Sequence, residues 1–234
     1  MKPVRNNNQF SNFFLVGTLV FSLTVLTAVL FRPDFSSAMP SVQPQTADVQ
    51  RLMAAALDAE QKGHLPEAIS AYEDVLARTQ GFAPAYFRLG AIYFHLGMPS
   101  KAEDLYLNAI DKGLNNPDVY LHLGYIKEVD GSLAQALEYY TKGELAASKN
   151  PVLYFNMGNV QSRLGHQDKA VAAFKRAVAL DPAYMDALAN LAIILAGMDE
   201  YQDAQYYLEK AEKLGYDAPA EFKQGLAIRV TGSK

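Results

Sequence analysis

The chain has 234 residues, with 21 Lys and Arg against 25 Asp and Glu, and neither Cys nor Trp. A formal charge of −4 and no basic stripe interleaved with aromatics exclude nucleic-acid binding as the main role. The absence of Cys removes a thiol nucleophile, a disulfide framework and a lipid anchor on sulfur.

In chain order, residues 1–12 form a short basic start with Lys2 and Arg5, followed by 19 residues without a charge from Phe13 to Phe31. As a helix this run is ~28 Å long, close to the ~30 Å hydrocarbon core of a bilayer, so residues 13–31 are predicted to be a transmembrane signal-anchor. Arg32 is offset by Asp34, so the positive charge is greater before the run. That predicts a single-pass protein with a cytoplasmic amino terminus and a periplasmic or extracytoplasmic remainder. The alternative is a secreted or periplasmic chain after signal cleavage near Ala38, where Ser36, Ser37 and Ala38 supply small residues. Residues 32–47, with Pro33, Pro40 and Pro44, read as a flexible linker.

From residue 48 to 218 the sequence repeats every 34 positions. Ala56, Gly90, Gly124, Gly158 and Ala192 share one register; Ala68, Ala102, Ala136, Ala170 and Ala204 share a second; Tyr72, Tyr106, Tyr140, Phe174 and Leu208 share a third. A fixed period of this length predicts helix pairs stacked into a solenoid with an extended concave surface. The units are 49–82, 83–116, 117–150, 151–184 and 185–218. The small residues are expected where two helix backbones approach closely. Gly63, Gly97, Gly131 and Gly165, with Asp199 in the fifth copy, are expected in left-handed turns between the helices of a pair. Pro66, Pro99, Pro117 and Pro151 mark helix starts. After Pro219, Phe222 and Leu226 share a face while Lys223 and Gln224 point away, which predicts a capping helix within residues 219–234.

The spacing of large residue, Leu, Gly, Tyr, Gly, Ala, aromatic and Ala resembles the tetratricopeptide repeat. It is most complete in Tyr86, Leu89, Gly90, Tyr93, Gly97, Ala102, Tyr106 and Ala109. Gly143 and Val75 depart from the pattern where it has Ala, and Lys127 and Gln161 where it has Tyr. The resemblance implies an all-α, right-handed superhelix of five helix-turn-helix repeats plus a capping helix, here behind one amino-terminal transmembrane helix. The repeats together with the anchor resemble the membrane-anchored members of a bacterial cell envelope.

In such an array the positions of each first helix that lie between the packed ones line the concave groove. They are Phe87, Arg88 and Phe94; Leu121, His122 and Tyr125; Phe155, Asn156 and Asn159; and Asn190, flanked by Met53 and Leu57 at one end and Ile193 at the other. Exposed together, the aromatic and apolar members suit a partner segment presenting apolar side chains. Asn156 and Asn190 occupy one register; in the family such asparagines resemble a ladder that hydrogen-bonds a peptide backbone, since an amide both donates and accepts. Phe87, Leu121 and Phe155 stand where a carboxylate-binding lysine would be, so a clamp on a terminal carboxylate is not expected.

No phosphate loop, HExxH motif or nucleophile elbow is present in the sequence. His64 and His166 fall at turns, and His95 and His122 are expected near opposite ends of adjacent first helices. No enzyme activity, cofactor or metal is therefore expected. The expected role is a membrane-tethered adaptor that binds a protein or peptide segment of another envelope protein in its groove. The alternative is an assembly chaperone or accessory subunit of a larger membrane complex, working through its convex face or its transmembrane helix. A homo-oligomer is a further option, through an apolar groove that accepts a neighbour's terminal helix.

Overall fold

In the computed structural model, the described residues 47–232 form helices joined by short turns. The first repeat pairs α1 (Ala47–Gln61) with α2 (Leu65–Arg78). The next four pair α3 (Ala83–His95) with α4 (Pro99–Asp111), α5 (Pro117–Val129) with α6 (Leu133–Leu145), α7 (Pro151–Arg163) with α8 (Gln167–Leu180), and α9 (Met185–Gly197) with α10 (Tyr201–Lys213). The last helix is α11 (Ala220–Gly232). Partners within a pair pack most extensively, each second helix packs on the next first helix, and α5 also touches α7.

Local chemistry explains where these helices start and stop. Asn116 and Asn150 cap α5 and α7, their side chains accepting the backbone N–H of Asp118 at 2.8 Å and of Val152 at 3.0 Å. Pro117 and Pro151 follow at positions whose N–H has no helical acceptor in any case. Each first helix ends in the same left-handed turn: Gly97, with φ +70°, donates to the Phe94 carbonyl, and Met98 donates to that of Tyr93. Asp199 adopts this turn at φ 64° in the fifth repeat.

The core lies between the helices of a pair and between neighbouring pairs. Ala56, Ala68, Ala102, Ala136, Ala170, Ala192 and Ala204 are fully buried, as are the rings of Tyr72, Tyr106 and Tyr140. The glycines of the first register answer to those rings and not to a neighbouring backbone, which corrects the expectation. A Cβ on Gly90 would stand 2.9 Å from Cε1 of Tyr106, one on Gly158 would stand 2.6 Å from Cε1 of Phe174, and one on Gly124 would meet Tyr140. Gly143 replaces the usual Ala because a Cβ there would meet Leu153 of the next repeat. Lys127 forms a salt bridge with Glu103, and Gln161 hydrogen-bonds Nδ1 of His166 at 2.9 Å, so both departures from Tyr have partners.

α11 closes the array by burying Phe222 and Leu226 against α10. Lys223 does not point away as its position suggested; its ammonium lies 3.4 Å from Glu212 of α10.

The placement in a membrane is corrected. Among the described residues no helix is long and apolar enough to cross one. The apolar run at 13–31, the cleavage site near Ala38 and all but the last residue of the 32–47 linker lie outside the described residues. The described helices give no support to a single-pass or a secreted localisation.

Candidate partner-binding site

Period 34 brings the expected groove residues onto the first helices of successive repeats. Phe87, Arg88 and Phe94 stand on α3, Leu121, His122 and Tyr125 on α5, Phe155, Asn156 and Asn159 on α7, and Asn190 on α9. They divide by burial. Phe87, Leu121, His122 and Asn156 are buried, at 7, 7, 6 and 5% exposure. Arg88, Phe94, Tyr125, Phe155, Asn159 and Asn190 are half-buried. The apolar set is thus not exposed together, because the tight stacking of repeats draws part of it into the core. The ring of Phe87 sits 5.9 Å from that of Tyr106 on its own second helix and 6.3 Å from His122 of the next repeat.

Two contacts join half-buried residues of successive first helices. The Phe94 and Tyr125 rings meet edge to face, with centroids 5.6 Å apart and planes at 76°. Asn190 Nδ2 donates to Asn159 Oδ1 at 3.0 Å. Between them, Phe155 packs 5.0 Å from Tyr184 and 5.8 Å from Phe174. The two asparagines that meet are Asn159 and Asn190, whereas Asn156 is buried.

His122 carries no charge at neutral pH, because burial, reinforced by His95, pushes its imidazole down to about 4. Both histidine rings flank Phe94, with centroids 6.2 Å (His95) and 5.1 Å (His122) from its ring. Among the described residues no three His, Cys, Asp or Glu side chains could hold a metal ion.

A polar motif that the sequence reading missed supports this surface. The Tyr72 hydroxyl donates to Glu60, and the Arg88 guanidinium donates to the same carboxylate at 3.1 Å. Two repeats on, the Tyr140 hydroxyl donates to Glu128 at 2.9 Å and Arg163 donates to it at 3.3 Å. Burial nevertheless raises the Glu128 carboxyl above the ordinary range, opposed by the bond from Tyr140 and by Arg163. Residue 94 shares the register of 60 and 128 but is Phe, and the Tyr106 hydroxyl opposite it is buried with no hydrogen-bond partner. The signal available in the sequence was the Glu, Phe, Glu alternation at period 34.

Two family models match the array. One, described as "Tetratricopeptide repeat", covers residues 53–117, and the other, "Cilia and flagella-associated protein 70 middle TPR-like domain", covers 120–227. Between them they take in nearly all of the helical array. The chain belongs to the tetratricopeptide-repeat family.

Among curated proteins, this tetratricopeptide-repeat chain is similar to the photosystem I assembly protein Ycf3 of Acaryochloris marina. The two are 29% identical over 129 residues, 53% of this chain and 76% of that one. The Ycf3 of Rippkaea orientalis is 33% identical, over 47% of this chain and 65% of its own length. The human protein O-mannosyl-transferase TMTC3 is 24% identical, and this chain covers only 18% of it. Among solved structures, MamA superposes with a TM-score of 0.62 at 21% identity, covering 68% of this chain and 93% of its own. YrrB, described as a TPR protein with an unusual peptide-binding site, does so with a TM-score of 0.62 at 23% identity, covering 77% and 90%. These structural likenesses establish the fold. Fold and family together make the chain a protein–protein interaction scaffold.

Proposed function

We propose that this protein is an adaptor that binds a peptide or helical segment of a partner protein along its first helices, and that its activity is binding and not catalysis. The contact set is Phe94, Tyr125, Phe155, Asn159 and Asn190, with Arg88 at one edge. Phe87, Leu121, His122 and Asn156 form the buried layer that holds it in place. The reading rests on the half-buried row in which Phe94 meets Tyr125 and Asn159 meets Asn190 across successive repeats. Its aromatic end suits apolar side chains, and its amide end offers a donor and an acceptor to a peptide group. The similarity to proteins named for assembly of photosystem I favours a second reading, an assembly factor that holds a subunit of a larger complex until its partners arrive.

A photo-crosslinking amino acid at position 125, compared with one at exposed Ala179 on a second helix, tests the site. The adaptor reading expects partner crosslinks from 125 that disappear with Phe155→Ala combined with Asn159→Ala in a folded protein. Equal crosslinking from both positions would sink it. A client subunit that is captured transiently and absent from the finished complex would select the assembly-factor reading.

A further inference from the structure

The outer faces of the second helices repeat with the same period as the inner surface, and the fourth repeat breaks the pattern. The register of residue 173 holds Ala71, Leu105, Tyr139, Ala173 and Tyr207; that of residue 172 holds Ser70, Asp104, Glu138, Ala172 and Tyr206. In the third repeat Lys142 lies over the Tyr139 ring, 5.2 Å from its centroid, and in the fifth Lys210 lies 4.4 Å from that of Tyr206. Arg176 occupies the register of Lys142 and Lys210, but α8 offers it alanines in place of tyrosine. Its guanidinium stands instead 5.6 Å from the Tyr154 ring on α7.

A cavity of about 240 Å³ results, lined by Tyr154, Met157 and Ala173, with Lys169, Arg176 and, from α6, Glu144 around it. Tyr154 and Met157 lie on the face of α7 turned away from Phe155 and Asn159, so this is a different surface from the groove. The first repeat also has a small residue at this register, Ala71, but Glu67 and Asp74 stand there in the places of Lys169 and Arg176. The fourth repeat holds Arg163, Lys169, Lys175 and Arg176 against Asp168 and Asp181, in an array whose acidic residues otherwise outnumber its basic ones. Neither Lys169 nor Arg176 has an ion-pair partner among the described residues.

We infer that the fourth repeat carries a second docking site, between α7 and α8, for an acidic segment of a partner protein that inserts one aromatic side chain. The ring takes the volume that Tyr139 and Tyr207 fill in the neighbouring repeats and lies against the Arg176 guanidinium, a cation–π contact strengthened by desolvation. A carboxylate one or two residues away pairs with Lys169. Shape selects the aromatic residue and charge selects its acidic neighbour. This site stands independently of the groove.

The test is selection of a random displayed peptide library against the full chain. Enriched sequences are then measured as fluorescein-labelled peptides by anisotropy. The inference expects Phe, Tyr or Trp next to Asp or Glu, with binding weakened about tenfold or more by Ala173→Tyr and by Arg176→Glu, and unchanged by Tyr125→Ala. Ala173→Tyr copies the third repeat, so it should keep the wild-type helical circular dichroism; if it does not, Ala172→Tyr, which copies the fifth repeat, replaces it. Three results would overturn the inference: no enrichment of acidic aromatic sequences, equal binding to wild type and the filled variant, or loss of binding in Tyr125→Ala. So would self-association of the wild type that the filled variant abolishes, because the occupant would then be a second copy of this chain.

Discussion

The imidazole of His122 lies flat against the ring of Tyr106, with planes 5° apart and centroids 5.3 Å apart. The two side chains come from different repeats, and the carboxylate that accompanies the corresponding pair in the first repeat is here Phe94. Arg88 and Tyr72 share Glu60, whereas His122 and Tyr106 have no acid between them.

Acid should therefore loosen this junction. Burial, reinforced by His95, holds the His122 imidazole at about 4 against an ordinary 6.5, so the folded state takes up its proton later than the unfolded chain. Its contribution to stability is complete above pH 6.5 and is lost as pH falls through 4, to a limit of roughly 3 kcal/mol. Asp118 and Glu128, raised by burial, act in the opposite sense, so the difference between two proteins is the quantity to measure. In His122→Asn, which copies Asn156 of the next repeat, urea melts between pH 7 and 4 should show a shallower loss of stability than in wild type.

The Tyr106 hydroxyl costs stability. It is fully buried with no acceptor, and the same register holds Phe174 in the fourth repeat. Tyr106→Phe should raise stability by about 1 kcal/mol, since an unsatisfied buried polar group costs about 1–3 kcal/mol. Phe94→Glu, which restores the acceptor found in the first and third repeats, should also stabilise. Thermal melts of the two single variants and the double variant check this, with the gains smaller than additive in the double.

Ala147 holds φ 62° at the end of α6, where Gly113 and Gly215 serve the second and fifth repeats. A Cβ in this left-handed region costs about 1–2 kcal/mol, part of which returns as unfolded-state entropy when Gly replaces Ala. Ala147→Gly should stabilise by roughly 0.5–1 kcal/mol. Ala55→Gly, at an exposed position in the middle of α1, should destabilise by a similar amount, and equilibrium denaturation of the pair reads both signs.

Gly124→Ala should destabilise by about 1–3 kcal/mol, because its methyl group would meet the ring of buried Tyr140. Combining it with Tyr140→Leu, which copies the fifth repeat, should recover part of the loss in a denaturation midpoint. Gly225→Ala, with open space at its Cβ, is the control and should stabilise α11 slightly.

Much of the fold was legible because a 34-residue period repeats each packing decision five times. The registers of Ala68 and Tyr72 named buried positions, and those of Gly63 and Pro117 named the turns and helix starts. The groove was legible only as a list of positions. Phe87, Leu121 and Phe155 share one register, yet the first two are buried and the third is half-exposed. Their exposure depends on how neighbouring rings such as Tyr106 and Tyr184 pack, which periodicity does not encode.

By itself the sequence determined the repeat, its helical pairing and the family, because helix periodicity and turn chemistry are local and are read one repeat at a time. Only the tertiary structure decided which polar groups meet. It joined Glu60 to Arg88 across repeats, left the Tyr106 hydroxyl alone opposite Phe94, and opened a cavity beside Ala173 where its neighbours carry larger side chains. Those outcomes depend on close packing between residues from different helices and repeats, and a side chain there is satisfied or orphaned by what stands opposite it in space.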